Sequence, residues 1–133
     1  MTTDEKLDLI VFGATGYTGK LICEFLNSQY GTSGDVSWGI AGRSADKLQA
    51  LAAELGLGDI PTIVADSEDQ AAVDTMVGGC KVLVSAAGPY QKYGSGVVES
   101  CARQGTDYID LCGEPLWMAE MIQAHEELSL IHI

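Results

Sequence analysis

The residues whose types and spacing point to chemistry begin with Gly13, Gly16 and Gly19, in the run Gly13-Ala14-Thr15-Gly16-Tyr17-Thr18-Gly19. With 16 glycines among 133 residues, such a triplet is a weak signal by itself. Its setting makes it strong: it directly follows an apolar strand-like run at 7–12 and opens a helical pattern. There, Gly13 lets the chain turn off a strand, Gly16 leaves the backbone open to a pyrophosphate, and Gly19 lets a helix lie close on a sheet. The free N–H groups of the first helical turn, aided by the helix dipole, then face the phosphates. Thr15 and Thr18 add hydroxyl donors. The loop departs from the G-x-G-x-x-G fingerprint, because Thr15 stands where the second glycine would be. A turn rich in glycine for packing alone is the competing explanation. The whole run, Gly13 to Gly19 with Ala14 and Tyr17 included, is expected to bind a small-molecule dinucleotide.

An NAD-type site usually places Asp or Glu at the end of the second strand, about 20 residues on, for the ribose diol. Here that place holds Gly42-Arg43-Ser44, with no acid before Asp46. Arg43 offers a guanidinium fork to a 2′-phosphate and Ser44 adds a hydroxyl, so NADP(H) is the expected cofactor. A solvated surface arginine is the plainer alternative. Asp66, after the third strand, either accepts from the adenine amino group or caps the helix that follows near Glu68. Ala86, Ala87, Gly88, Pro89 and Tyr90 end the fourth strand where the rest of a dinucleotide would pass. For acid–base work the candidates in reach are Tyr90, Tyr93, Cys112 and Glu114, each with a packing or capping alternative, and no catalytic assignment follows. His125 reads as a surface residue of the last helix.

The elements that must position these groups alternate. Strand-like runs at 7–12, 36–41, 62–65, 81–87 and 108–111 are separated by helical patterns. The first helix is expected to run to about Asn27 with Leu21, Ile22, Phe25 and Leu26 buried. Ser44 should cap the second, whose apolar face is Leu48, Leu51, Ala52 and Leu55. Later helices carry Ala72, Val73, Met76 and Val77, then Val97, Val98, Cys101 and Ala102, then Met118, Met121 and Ile122. Such alternation means βαβ units: an α/β Rossmann-type doubly wound parallel sheet, strand order 3-2-1-4-5, with helices on both faces.

Several segments together resemble the saccharopine-dehydrogenase-like oxidoreductases, which include trans-acting enoyl reductases. They are the run 11–19, Ala41-Gly42-Arg43-Ser44, Ala87-Gly88-Pro89-Tyr90, Tyr93-Gly94, and Tyr108-Ile109-Asp110-Leu111-Cys112-Gly113-Glu114-Pro115. The resemblance implies a Rossmann domain using NADP(H) for hydride transfer, and in full-length members a second α/β domain that completes the substrate pocket. That domain is expected to be absent from this chain, with 1–127 forming the cofactor domain. Residues 128–133, Leu-Ser-Leu-Ile-His-Ile, break the preceding pattern and read as a sixth strand or as a non-native tail. The rival functions are a non-catalytic NADP(H) sensor, an inactive fragment, and an extended short-chain dehydrogenase. For the last, none of the 5 tyrosines is followed by lysine at the Tyr-x-x-x-Lys spacing. Some eukaryotic relatives are associated with lipid droplets, which this stretch neither supports nor opposes.

Bulk properties bound the rest. A length of 133 residues, 47% of them apolar and 20% charged, fits one globular domain with its own core. The net charge of -12, from 19 acids against 7 bases, argues against nucleic acid or anionic lipid as a partner. No apolar run is long enough for a membrane segment, and a cytoplasmic location is the default. Cys23, Cys80, Cys101 and Cys112 show no C-x-x-C pairing and read as small core residues, with no metal site expected. An exposed apolar patch would let the chain pair as a homodimer.

Overall fold

The computed structural model describes residues 6–125, so the stretch 128–133 lies outside the described residues. Five strands, β1 (Leu7–Phe12), β2 (Trp38–Gly42), β3 (Thr62–Val64), β4 (Cys80–Ser85) and β5 (Asp107–Asp110), form one sheet. Every pairing is parallel and the order is β3-β2-β1-β4-β5, as the alternating pattern predicts. The connecting helices are α1 (Tyr17–Tyr30), α2 (Ala45–Leu55), α3 (Gln70–Gly78), α4 (Tyr90–Tyr93), α5 (Ser95–Gln104) and α6 (Pro115–His125).

Because successive strand side chains point to opposite faces, β1 feeds two cores. Ile10 and Phe12 join Leu83 and Tyr108 beneath α3, α5 and α6, where Val73, Met76, Val97, Val98, Cys101 and Trp117 are buried. Val11 joins Trp38 and Ile40 on the other face, against Cys23 and Leu26 of α1 and Leu48 and Leu51 of α2. Register brings the strand ends level, since Phe12 stands opposite Ala41 on one side and Ser85 on the other. Everything beyond that line is loop and helix N-terminus, which is where a parallel sheet holds ligands.

Several expectations need correction. α1 runs to Tyr30 rather than Asn27, and it buries Gly19, Cys23 and Leu26. Leu21 and Phe25, expected in its stripe, are 49% and 59% exposed. The close approach at Gly19 fixes the rotation of the helix, so the face of Gly19, Cys23 and Leu26 goes under while Leu21 and Phe25 are turned out. The edges of β2, β4 and β5 shift by one or two residues, because pairing rather than apolar character ends a strand. Ile122 of α6 is exposed while Trp117 is buried. The four-residue α4 was not expected at all. Ser44 does cap α2, accepting from the Lys47 N–H at 3.3 Å, and Gly56 ends that helix in the left-handed conformation.

Candidate functional site

A cleft of about 170 Å³ opens beyond the strand ends. Phe12, Gly13 and Thr15 line it from the end of β1, Gly42 and Arg43 from β2, Ala65 and Ser67 from β3. Ala87 and Gly88 follow β4, and Tyr93 reaches in from α4. Four segments distant in sequence thus meet at one place, because the parallel order brings the strand ends together there.

The glycine loop is built as the sequence suggests. Gly13 sits at φ +78, and a Cβ there would lie 2.8 Å from the Ala87 nitrogen and 2.9 Å from the Ala86 carbonyl carbon. At Gly19 a Cβ would run into the Gly13 carbonyl oxygen and approach the Ala14 Cα to 2.8 Å. Gly16 is different: its nearest such neighbour is the Gly13 oxygen at 3.5 Å, so open space surrounds it. Ala14 is buried, its N–H and that of Gly13 both donating to the Ala41 carbonyl at 3.2 and 3.0 Å.

Gly16 is the N-cap of α1, with no side-chain cap and no acid in the first turn. Among the described residues the N–H groups of Tyr17, Thr18 and Gly19 have no acceptor, whereas the Lys20 N–H already bonds the Gly16 oxygen at 2.9 Å. Unmet donors, a positive dipole end and a missing Cβ together suit a phosphate. The side chains of Tyr17 and Thr18 are exposed and do not line the cleft.

Arg43 lies exposed on the cleft wall. The salt bridges among the described residues are Lys20–Glu54, Lys81–Asp8 and Arg103–Asp74, which leaves the Arg43 guanidinium without a carboxylate. Ser44 does not line the cleft, and its oxygen serves the α2 cap. For Asp66 the capping alternative fails. Its Oδ1 accepts from the Glu68 N–H at 3.0 Å, while Asp69 caps α3 by accepting from Ala72 at 3.2 Å. Ser67, not Asp66, faces the cleft, and sequence reasoning missed it; its place just past a strand end was the available signal.

Past β4, Ala86 packs its backbone on Gly13, while Ala87 and Gly88 form wall. Pro89 is the N-cap of α4. Tyr90 was expected at the cofactor and is instead 7% exposed, stacked on Trp117 with ring centroids 5.6 Å apart. Its hydroxyl donates to the Ser85 carbonyl at 2.9 Å, burial raises its pKa, and it does not line the cleft. Tyr93 does line the cleft, with the Lys92 ammonium 5.2 Å from its ring centre.

Cys112 and Glu114 stay off the cleft wall. Burial raises the Cys112 thiol, outweighing the Glu114 N–H that donates to its sulfur at 3.3 Å and by itself favours the thiolate. The Glu114 carboxylate accepts from the N–H groups of Tyr90 at 2.7 Å and Gln91 at 3.0 Å. It caps α4, a helix from a distant part of the chain, rather than its own. His125 is half-buried in the last turn of α6, away from the cleft.

The family model of the saccharopine dehydrogenase NADP binding domain matches residues 9–129. The chain belongs to this family. A trans-acting enoyl reductase of Mycobacterium leprae is 38% identical over 96% of this chain and 30% of its own length. A lipid droplet localized protein of Caenorhabditis elegans is 32% identical over 92% of this chain and 30% of its own. The chain therefore spans about 30% of the length of these relatives. Among solved structures, apo saccharopine dehydrogenase (L-Glu forming) of Saccharomyces cerevisiae superimposes with a TM-score of 0.64 at 23% identity, covering 78% of this chain and 21% of that one. As a saccharopine dehydrogenase NADP binding domain, the chain is a Rossmann domain whose cofactor is NADP(H). Among the described residues no helix is long and apolar enough to cross a membrane.

Proposed function

We propose that this domain is the cofactor half of an oxidoreductase, holding NADP(H) with its pyrophosphate on α1 and its 2′-phosphate on Arg43. The observation that carries the reading is an uncapped α1 N-terminus at the open Gly16, one residue past the cleft-lining Thr15, together with Arg43 on the same cleft wall, whose guanidinium has no carboxylate partner among the described residues. Tyr17, Thr18 and Gly19 contribute backbone donors, and Thr15 a hydroxyl, to the pyrophosphate. Phe12, Ala65 and Ser67 would flank the adenine side, with Asp66 left outside. Ala87, Gly88 and Tyr93 border the path toward the nicotinamide. When bound, NADP(H) supplies or accepts the hydride. The protein's part is to orient it and keep the reacting face dry.

The name of the M. leprae relative makes an enoyl group the first substrate class to test. A cytoplasmic location and a homodimer belong to the same proposal. Self-association is supported by the exposed α1 face of Tyr17, Leu21 and Phe25, at 83%, 49% and 59% exposure. Sedimentation of the chain reads it directly.

The test of the cofactor reading is a fluorescence titration of the purified chain with NADPH and with NADH. NADPH should bind more tightly, and Arg43→Ala should erase most of that preference, weakening NADPH about tenfold or more through loss of a charge-assisted contact. Equal binding of the two cofactors by both proteins would sink the Arg43 assignment.

A further inference from the structure

We propose that Glu114 is a positioning residue for the cofactor cleft, fixing α4 and through it Tyr93. This rests on the cofactor reading above. α4 has four residues, too few to hold a helical turn unaided, and Pro89 at its N-cap brings no side-chain oxygen. The Glu114 carboxylate supplies both missing acceptors from 24 and 23 residues away, one oxygen to Tyr90 N–H and the other to Gln91 N–H.

Glu114 is itself held by a relay from the core. Its N–H donates to the Cys112 sulfur at 3.3 Å, and the Cys112 N–H donates to Asp110 Oδ1 at 3.0 Å. Asp110 Oδ2 accepts from the hydroxyl of Tyr108 at 2.7 Å, and Tyr108 is 1% exposed. The turn after β5 is thereby tied by hydrogen bonds from the core up to the residue that meets α4. At the other end of α4, Gly94 abuts Trp117, whose ring would lie 2.8 Å from a Cβ there. Gripped at both ends, α4 carries Tyr93 on the cleft wall, and Gly88 stands just before it.

The same carboxylate has a second effect. It occupies the N–H groups of Tyr90 and Gln91 with a negative charge, so α4 offers an anion in the cleft no free donors there and its side suits the less charged part of the dinucleotide.

The test compares the chain with Glu114→Ala, Glu114→Gln, Tyr93→Ala and the double variant Glu114→Ala/Tyr93→Ala. NADPH dissociation constants are measured for all, and backbone amide exchange without cofactor for the single variants. Glu114→Ala should raise the constant about tenfold, Glu114→Gln less, because its amide keeps one acceptor oxygen. Placed on Tyr93→Ala, the Glu114→Ala change should add under about threefold, because both act through one helix. Exchange at Tyr90 and Gln91 should quicken in Glu114→Ala while β4 and α1 keep their protection. An unchanged constant in Glu114→Ala, or full additivity with Tyr93→Ala, overturns the proposal. If Glu114→Ala does not fold, Glu114→Gln decides: a wild-type constant overturns it, a raised one supports it. A wild type that binds no NADPH shows itself before any variant is compared, and removes the cofactor reading together with this one.

Discussion

Replacing Gly19 with alanine sets two effects of opposite sign against each other, and the structure says which wins. Alanine is the better helix former, worth about 1 kcal/mol in a helix interior. Against that, the new Cβ would collide with the Gly13 carbonyl oxygen and come within 2.8 Å of the Ala14 Cα. Both are backbone atoms, so no side chain can swing aside. Relief requires α1 to lift from the loop, loosening Cys23 and Leu26 from their core. Overpacking of this kind costs about 1–3 kcal/mol, and an unyielding backbone puts it at or above the top of that range. The net loss is about 2 kcal/mol or more, which at roughly 4 °C per kcal/mol for a domain of this size lowers Tm by about 8 °C. Thermal unfolding followed by far-ultraviolet circular dichroism measures it. Gly16→Ala is the partner experiment. Its Cβ has no backbone neighbour nearer than 3.5 Å and its φ is -77, so Tm should move by no more than about 3 °C. NADPH affinity should nevertheless fall about tenfold or more, because the methyl group fills the phosphate approach. A Gly19→Ala chain as stable as wild type would refute the packing argument. A Gly16→Ala chain that binds NADPH normally would refute the binding one.

Other outcomes follow from single contacts. Ser44→Ala removes the α2 cap made to Lys47 and should cost about 1 kcal/mol, read as a lower urea midpoint at unchanged slope. Burial pushes the thiols of Cys23 and Cys101 up to about 12 and that of Cys80 to about 11 from the usual 9.0. Unfolded thiols therefore ionise first, so stability is held below pH 9 and should fall as pH rises from about 9 toward 11. Urea midpoints at the two ends of that window should differ in that direction, and Cys101→Ala should flatten the slope; a midpoint that rises with pH would show the thiols are not the cause.

The sheet order was legible because strands of strand length alternate with helices of helix length, and right-handed crossovers leave few alternatives. The glycine loop was legible because each of its three glycines answers a different geometric demand. Tyr90 was misread because Gly88-Pro89 marks where a strand stops, not which way the next side chain turns. That direction is set by Trp117, which lies on another helix. Glu114 was read as a cap for the helix beside it, when its partners come from 24 and 23 residues earlier. Leu21 and Phe25 were placed in the core by periodicity alone, but Gly19 decides the rotation of α1. In each case the missing information is a contact between segments that sequence spacing does not encode.

The distribution of charge bears on how fast a cofactor arrives, as distinct from how well it stays. Three of the chain's cations, Lys20, Lys81 and Arg103, are spent on neighbouring carboxylates, and the net charge is -12. A dinucleotide phosphate approaching from solution therefore meets a repulsive far field, and feels Arg43 and the α1 donors only within about a Debye length, roughly 8 Å in physiological salt. That far field works against encounter, so association should be slowed and moderate salt should hasten it, the reverse of the usual electrostatic pattern. Tight binding in such a domain must reside in a long-lived complex, with discrimination between cofactors expressed in how slowly the correct one leaves.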